Sequence, residues 1–253
     1  FAHRTHSLAL FADGTTLFLI GLAKKVLLAD TVAPLADLAF ATPNPSMALS
    51  WLGSIAYMVQ LYFDFSGYSD MAIGAARIFG IRLPLNFHSP YQATNIIEFW
   101  RRWHMTLSQF LRDYLYIPMG GGRGSTWSKY RNLLLTMLLG GLWHGATWMF
   151  VIWGALHGGA LVIHRLWTRL RRPMPPMLGW FLTFMFVNIT WVFFRAKGLS
   201  EAKTVLAKIG SIQLFEPVSM PFSIQEFIFC FVLIAFLMWK DVFVKEIKTR
   251  ITW

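Results

Sequence analysis

Two histidines stand where ordinary helical packing would not call for them. His144 lies in Gly140-Gly141-Leu142-Trp143-His144-Gly145-Ala146-Thr147-Trp148, flanked by small residues and indoles within an apolar run. The glycines let a neighbouring backbone or a substrate come close. A neutral imidazole there can act as general base towards a hydroxyl, because its reference pKa of about 6.5 lies near neutral pH. A histidine hydrogen-bonded between helices is the other reading, and the residue alone leaves both open. His104 lies in Arg101-Arg102-Trp103-His104-Met105-Thr106-Leu107-Ser108. The tandem arginines can hold a phosphate or carboxylate by forked hydrogen bonds. Composition alone favours a basic edge facing lipid headgroups.

Other polar residues offer weaker chemistry. Asp64 and Asp70 are carboxylates inside an apolar stretch, able to pair with an arginine, orient a histidine or bind a cation. A structural ion pair is the expected role for at least one of them. The tract Gly120-Gly121-Gly122-Arg123-Gly124-Ser125 lacks the Gly-Lys-Ser/Thr ending of a phosphate-binding loop and follows no strand, so it reads as a flexible turn. His157 and His164 share a helix face, while His3 and His6 receive no role. No histidine pair has the spacing and carboxylate partner of a zinc site, so no metal is expected. The single cysteine, Cys230, cannot form a disulfide within the chain and reads as a small apolar residue.

The elements that must position these residues follow from composition. Of 253 residues, 56% are hydrophobic and 14% charged, against roughly 25% charged in an ordinary soluble domain. Mean hydropathy is +0.49. That much apolar surface excludes a soluble enzyme and points to an all-α, polytopic membrane protein. The net charge of +11 sits in short clusters between apolar runs, as loops facing anionic lipid require. No stacking motif or binding module argues for nucleic acid.

About 20 apolar residues cross a bilayer as a helix. Residues 148–167, 177–194 and 222–239 approach that length. Residues 51–63 and 68–79, separated by Asp64, Ser66 and Gly67, form either one polar-centred span or two pieces. Residues 133–142 must borrow 130–147 to cross. Residues 15–28 fit a span or an interfacial helix whose Lys24 and Lys25 snorkel. Residues 94–116 read as one amphipathic helix at the interface or in a protein-lined cavity. The arginines at 165, 169, 171 and 172 place their loop on the cytoplasmic side. The basic loop 120–131 must be accommodated with it, in a way the pattern does not decide. The chain opens Phe1-Ala2-His3 and ends just after a membrane-like segment, so it reads as the C-terminal portion of a longer protein, with residues 1–253 in one membrane-embedded domain.

Several blocks, in order, resemble the membrane-bound O-acyltransferase family. They are Gly21-Leu22-Ala23-Lys24-Lys25-Val26-Leu27-Leu28-Ala29-Asp30, Tyr62-Phe63-Asp64-Phe65-Ser66-Gly67-Tyr68-Ser69-Asp70-Met71-Ala72 and Leu85-Asn86-Phe87-His88-Ser89-Pro90-Tyr91. Phe99-Trp100-Arg101-Arg102-Trp103-His104-Met105-Thr106-Leu107-Ser108 and Gly141-Leu142-Trp143-His144-Gly145-Ala146 complete the set. The chain is most similar to the bacterial branch that O-acetylates alginate and related exopolysaccharides. The resemblance implies helices around a central tunnel, with the residue matching His144 essential and His104 accompanying it. It implies no bound cofactor, and a thioester donor, acyl-CoA or an acylated carrier protein. It further implies a multi-pass protein of the bacterial inner membrane that passes acetyl groups to a polysaccharide hydroxyl or to a periplasmic acetyltransferase partner. On that reading His144 is the base, His104 orients the acyl group or the acceptor, and Arg101, Arg102 and Arg123 contact donor phosphates, with Asp64 and Asp70 as further candidates for binding.

Two other functions compete. A transporter or channel would line a solute path with Asp64, Asp70, His144 and His157, although no repeated half with matching interruptions is visible. A non-catalytic scaffold for a polysaccharide synthase would need no histidine chemistry.

Overall fold

The computed structural model describes residues 7–211 together with Gln225, Ile228, Phe229, Phe231, Val232, Leu233 and Phe236. His3, His6, Cys230, most of the apolar run 222–239 and the C-terminal residues 248–253 lie outside the described residues. Among the described residues every regular element is helical.

Helix α1 (Leu8–Ala23) starts where Ser7 Oγ accepts the Leu10 amide (3.1 Å), satisfying one of the free donors of the first turn. It continues through a wide helical turn, Lys24–Ala29, into α2 (Asp30–Ala41). Helix α3 (Met47–Ile78) is capped in the same way by Ser46. Its 32 residues extend about 48 Å, so residues 51–78 lie in one continuous helix and not in two pieces.

The polar residues in the middle of α3 do not break it, because they face α1. A side chain on Gly67 would place its Cβ 2.6 Å from the Gly21 carbonyl, and one on Gly14 would meet the Gly74 carbonyl at 2.7 Å. These small-residue crossings bring the two backbones together. At the seam Lys24 pairs with Asp70, and Lys25 Nζ lies 2.6 Å from Asp64 Oδ1. Lys24 is therefore buried, only 5% exposed. Snorkelling, the sequence-level expectation for it, is corrected: a carboxylate inside the fold supplies the partner that water would otherwise give.

Residues 94–116 do not form one helix. They divide into α4 (Ile96–Arg102), α5 (Met105–Leu111) and a wide helical turn, Arg112–Tyr116. The break falls at Trp103-His104, and its cause lies elsewhere in the chain. The extended segment around Asn86 binds both sides of it: His88 N donates to Arg102 O and Met105 N to Asn86 O, each at 2.9 Å.

Helices α6 (Thr126–His144) and α7 (Trp148–Arg169) form an antiparallel hairpin. Gly158 packs on Leu134, 3.2 Å from a Cβ to its Cα, and Gly141 and Gly154 meet the backbones of Phe150 and Met137. Arg169 closes the open end, donating to Thr126 Oγ1 (3.2 Å) and lying over the Tyr130 ring. The two basic loops thus sit at the same end of the hairpin. Helices α8 (Pro176–Arg195) and α9 (Leu199–Ile209) follow. Helices α7 and α8 are long and apolar enough to cross a membrane by length and composition. Helix α8 packs on α3, where Ser54 Oγ donates to the buried Asn188 Oδ1 (3.1 Å), and its end is tied to α2 by Arg195 and Asp37 (2.6 Å).

An aromatic core joins α3, α4, α7 and α8. Trp103 stacks on Phe99, with centroids 5.7 Å apart, and meets Phe87 and Trp191 at 5.0 Å. Trp153 continues it, stacked 5.9 Å from Trp191. Edge-to-face and offset contacts of this kind add to the large area each ring buries.

Candidate active site

His104 sits at the break between α4 and α5 with φ 42°, in the left-handed region. A histidine accepts that conformation only when its surroundings impose it. The restraint is Asn86. Its side-chain Oδ1 accepts the Thr106 amide (3.2 Å) and the Thr106 hydroxyl (2.9 Å), and lies 3.0 Å from His104 Nδ1. Its Nδ2 donates to Ser69 Oγ on α3 (3.2 Å). Asn86 thereby caps α5 from outside the helix, in place of the capping side chain that His104 does not supply. The His104 ring rests edge-on against Phe65, 4.7 Å between centroids, and near Phe87 at 6.5 Å.

His144 is the last residue of α6, and Gly145 turns the chain into the hairpin. Its ring lies 5.4 Å from Trp153, 5.0 Å from Phe194 and 6.1 Å from Phe150. A Cβ on Gly145 would strike the Phe150 ring at 2.6 Å, so a larger residue after the histidine would have to displace that ring. His144 is half-buried and makes no hydrogen bond with the described residues.

The two histidines therefore flank one aromatic core, reached from His104 through Phe87 and Trp103 and from His144 through Phe194 and Trp191. Burial lowers the pKa of both, to about 4, and at His104 the His144 charge is a lesser cause in the same direction. Such a group is neutral at pH 7 and keeps a lone pair available.

The remaining candidates are spread out. Arg102 is held by Glu98 on its own helix (2.6 Å), while Arg101 is exposed. Burial would raise the Glu98 pKa. The Thr94 amide and hydroxyl, bound at 2.7 and 2.9 Å, and the Arg102 charge outweigh it and hold the carboxyl below its ordinary value. Arg123 is exposed in the glycine tract. That tract is a defined turn in which Gly120, Gly121 and Gly124 take positive φ, with Asn132 Nδ2 bound to Met119 O (2.9 Å). It precedes α6, whose 19 residues separate Arg123 from His144 by about 28 Å. Asp64 and Asp70 lie at the α1–α3 seam with their lysines.

His157 is fully buried within the aromatic core. Its Nε2 lies 3.0 Å from Thr190 Oγ1, which itself donates to Val187 O (2.8 Å), so the imidazole is the donor to it. A groove of about 880 Å³ runs between α7, α8 and the start of α4, lined among others by Thr94, Ile163, His164, Arg171, Arg172 and Phe186. Neither His104 nor His144 lines it.

Sequence reasoning missed Asn86 as a functional residue. It stood in a matched block without a role, and 18 residues separate it from His104 with no continuous helix or strand between them to relate the two.

The profile described as MBOAT, membrane-bound O-acyltransferase family, matches residues 10–200. The chain is 54% identical over 215 residues to the "Probable alginate O-acetylase AlgI" of Azotobacter vinelandii, covering 83% of the chain and 42% of that protein. It is 54% identical over 200 residues to the "Peptidoglycan O-acetyltransferase" of Helicobacter pylori, covering 77% and 38%. A "Teichoic acid D-alanyltransferase" of Streptococcus thermophilus is 33% identical over 163 residues, covering 54% and 39%. The chain spans about two fifths of the length of these relatives.

Proposed function

Because the chain belongs to the membrane-bound O-acyltransferase family, we propose that it carries the histidine centre of an enzyme that moves an acetyl group from a thioester donor to a hydroxyl. The observation that carries this reading is the meeting of His104 and His144 on one aromatic core. Both are half-buried, and His144 has ring nitrogens that no described residue occupies.

In this mechanism His144 takes the proton of the acceptor hydroxyl as its oxygen attacks the thioester carbonyl. The tetrahedral intermediate collapses, the carbon–sulfur bond breaks, and the proton is returned to the departing thiolate. The products are an ester and a free thiol, so the balance closes without a metal or redox group. His104 orients the acyl group or the acceptor. The donor is acyl-CoA or an acylated carrier protein, with Arg101, Arg102 and Arg123, at separate places in the fold, as candidate contacts for a donor phosphate. Asp64 and Asp70 hold α1 to α3 in this reading, since lysines already meet both. The relatives named alginate O-acetylases support an exopolysaccharide hydroxyl as the final acceptor, reached directly or through a periplasmic acetyltransferase.

The complete protein is, on this proposal, a multi-pass protein of the bacterial inner membrane. Two apolar helices of spanning length support that, as does the outward face of α8, where Met177, Phe181 and Leu182 are exposed.

The test uses the full-length protein in membranes with radiolabelled acetyl-CoA, wild type beside His144→Ala at equal abundance. Label is expected on polysaccharide or on a partner protein in the wild type alone. Equal labelling in both would remove His144 from the chemistry.

A further inference from the structure

The hydrogen bonds around Asn86 decide which nitrogen of His104 carries its proton. The Thr106 backbone N–H can only donate, so the Asn86 atom it meets at 3.2 Å is the carbonyl oxygen. The Asn86 amide nitrogen faces Ser69 Oγ on the other side, which is consistent with that orientation. His104 Nδ1, 3.0 Å from the same Oδ1, must therefore be the protonated nitrogen. In the neutral ring Nε2 then carries a lone pair and no hydrogen.

We infer that Asn86 is a positioning residue, fixing His104 so that its Nε2 accepts a hydrogen bond from a donor group of the acceptor other than the reacting hydroxyl, and does not donate one to the acyl oxygen. This rests on the reading of His104 and His144 as the acyl-transfer centre, and it chooses between the two tasks open to His104 there. A developing oxyanion needs donors, and a neutral imidazole with its only N–H spent on Asn86 has none to give. The reacting hydroxyl gives its proton to His144, so the lone pair on His104 Nε2 is left to hold the acceptor through another of its donor groups. Asn86 serves the backbone as well, because the same oxygen caps α5 and holds His104 in its left-handed conformation. Ring tautomer and ring placement are thus set by one side chain, which is itself anchored to α3 through Ser69.

The test compares wild type, Asn86→Ala, Asn86→Asp and His104→Ala in the full-length protein. Acetyl-CoA is the donor probe, and transfer is followed against pH. Asn86→Ala is expected to lose transfer on the order of 10²-fold, the range ascribed to a positioned acid–base group. Asn86→Asp keeps the acceptor oxygen, so transfer is expected to stay within about 10-fold of wild type. Its carboxylate favours the imidazolium, so the acid limb of the profile is expected to move to higher pH. A residue acting only as a helix cap would not move that limb, and an unmoved limb in an active Asn86→Asp enzyme would overturn the inference. Solid-state nitrogen NMR of histidine-labelled protein, with the His104 signal identified by its loss in His104→Ala, reads the tautomer whether or not a variant folds. A proton on Nε2 in the wild type would overturn it equally. If Asn86→Ala transfers normally while His104→Ala does not, the inference fails and the acyl-transfer reading survives. If His104→Ala and His144→Ala both transfer normally, the reading itself fails.

Discussion

His104 pays for its position in backbone conformation. A φ of 42° costs an L-residue roughly 1–2 kcal/mol relative to right-handed backbone, and glycine escapes that cost. His104→Gly is therefore expected to abolish transfer yet to be about 1 kcal/mol more stable than His104→Ala, as thermal unfolding of the two purified variants would show. The same residue couples folding to pH. Its folded pKa, near 4, lies below the ordinary 6.5, so between those values the unfolded chain binds the proton more readily. Stability should therefore fall as pH drops from about 6.5 towards 4. His104→Gln should weaken that dependence, and an unchanged Tm–pH slope in this variant would contradict the assignment. Both histidines were legible as isolated polar residues among apolar ones, and the matched blocks singled them out. Asn86 was not, because its importance lies in what its oxygen touches.

At the scale of the helices, the seam between α1 and α3 combines glycine contacts with a buried ion pair. Removing one partner of such a pair leaves a buried charge less well compensated, at a cost of up to about 3–5 kcal/mol. Asp70→Asn and Lys24→Met are each expected to lower Tm sharply, and the double variant Lys24→Met/Asp70→Leu to recover much of the loss. Additive losses would mean that the pair is not the coupling unit. Gly67→Val should destabilise by about 1–3 kcal/mol through overpacking, since a Cβ at that position already strikes the Gly21 carbonyl. The apolar periods predicted α7 and α8 nearly to their ends. They failed for 94–116, where the period continues across Trp103-His104 but hydrogen bonds from the segment around Asn86 interrupt the backbone ladder. A hydrophobic period records which face is buried, not whether a distant strand of chain competes for the amides.

For the molecule as a whole, the antiparallel α6–α7 hairpin puts the loops around Arg123 and Arg171 at one end and His144 at the other. Single cysteines replacing Arg123 and Arg171, in a full-length background freed of Cys230 and of every other cysteine, should both react with an impermeant maleimide from the same side of the membrane. Labelling from opposite sides would break the hairpin topology. The arrangement also relates donor to chemistry. A cationic surface at the loop end and an imidazole about one helix length away suit a donor whose charged head and reactive thioester are far apart.

Composition alone showed a chain with more hydrocarbon than its few charges can cover, and the apolar runs pointed to helices. The ordered blocks determined its family. Tertiary structure decided which residues meet. Asp64 and Asp70 could have faced a ligand or a histidine, and the α1 crossing gave them lysines. The arginines could have clustered at the histidines, and the hairpin set Arg123 a helix length away. The Lys24–Asp70 pair joins residues 46 apart, and the His104–Asn86 pair joins residues 18 apart. Local propensity reaches only about one helical turn along the chain; partners at those separations exist only once the backbone path has brought them together.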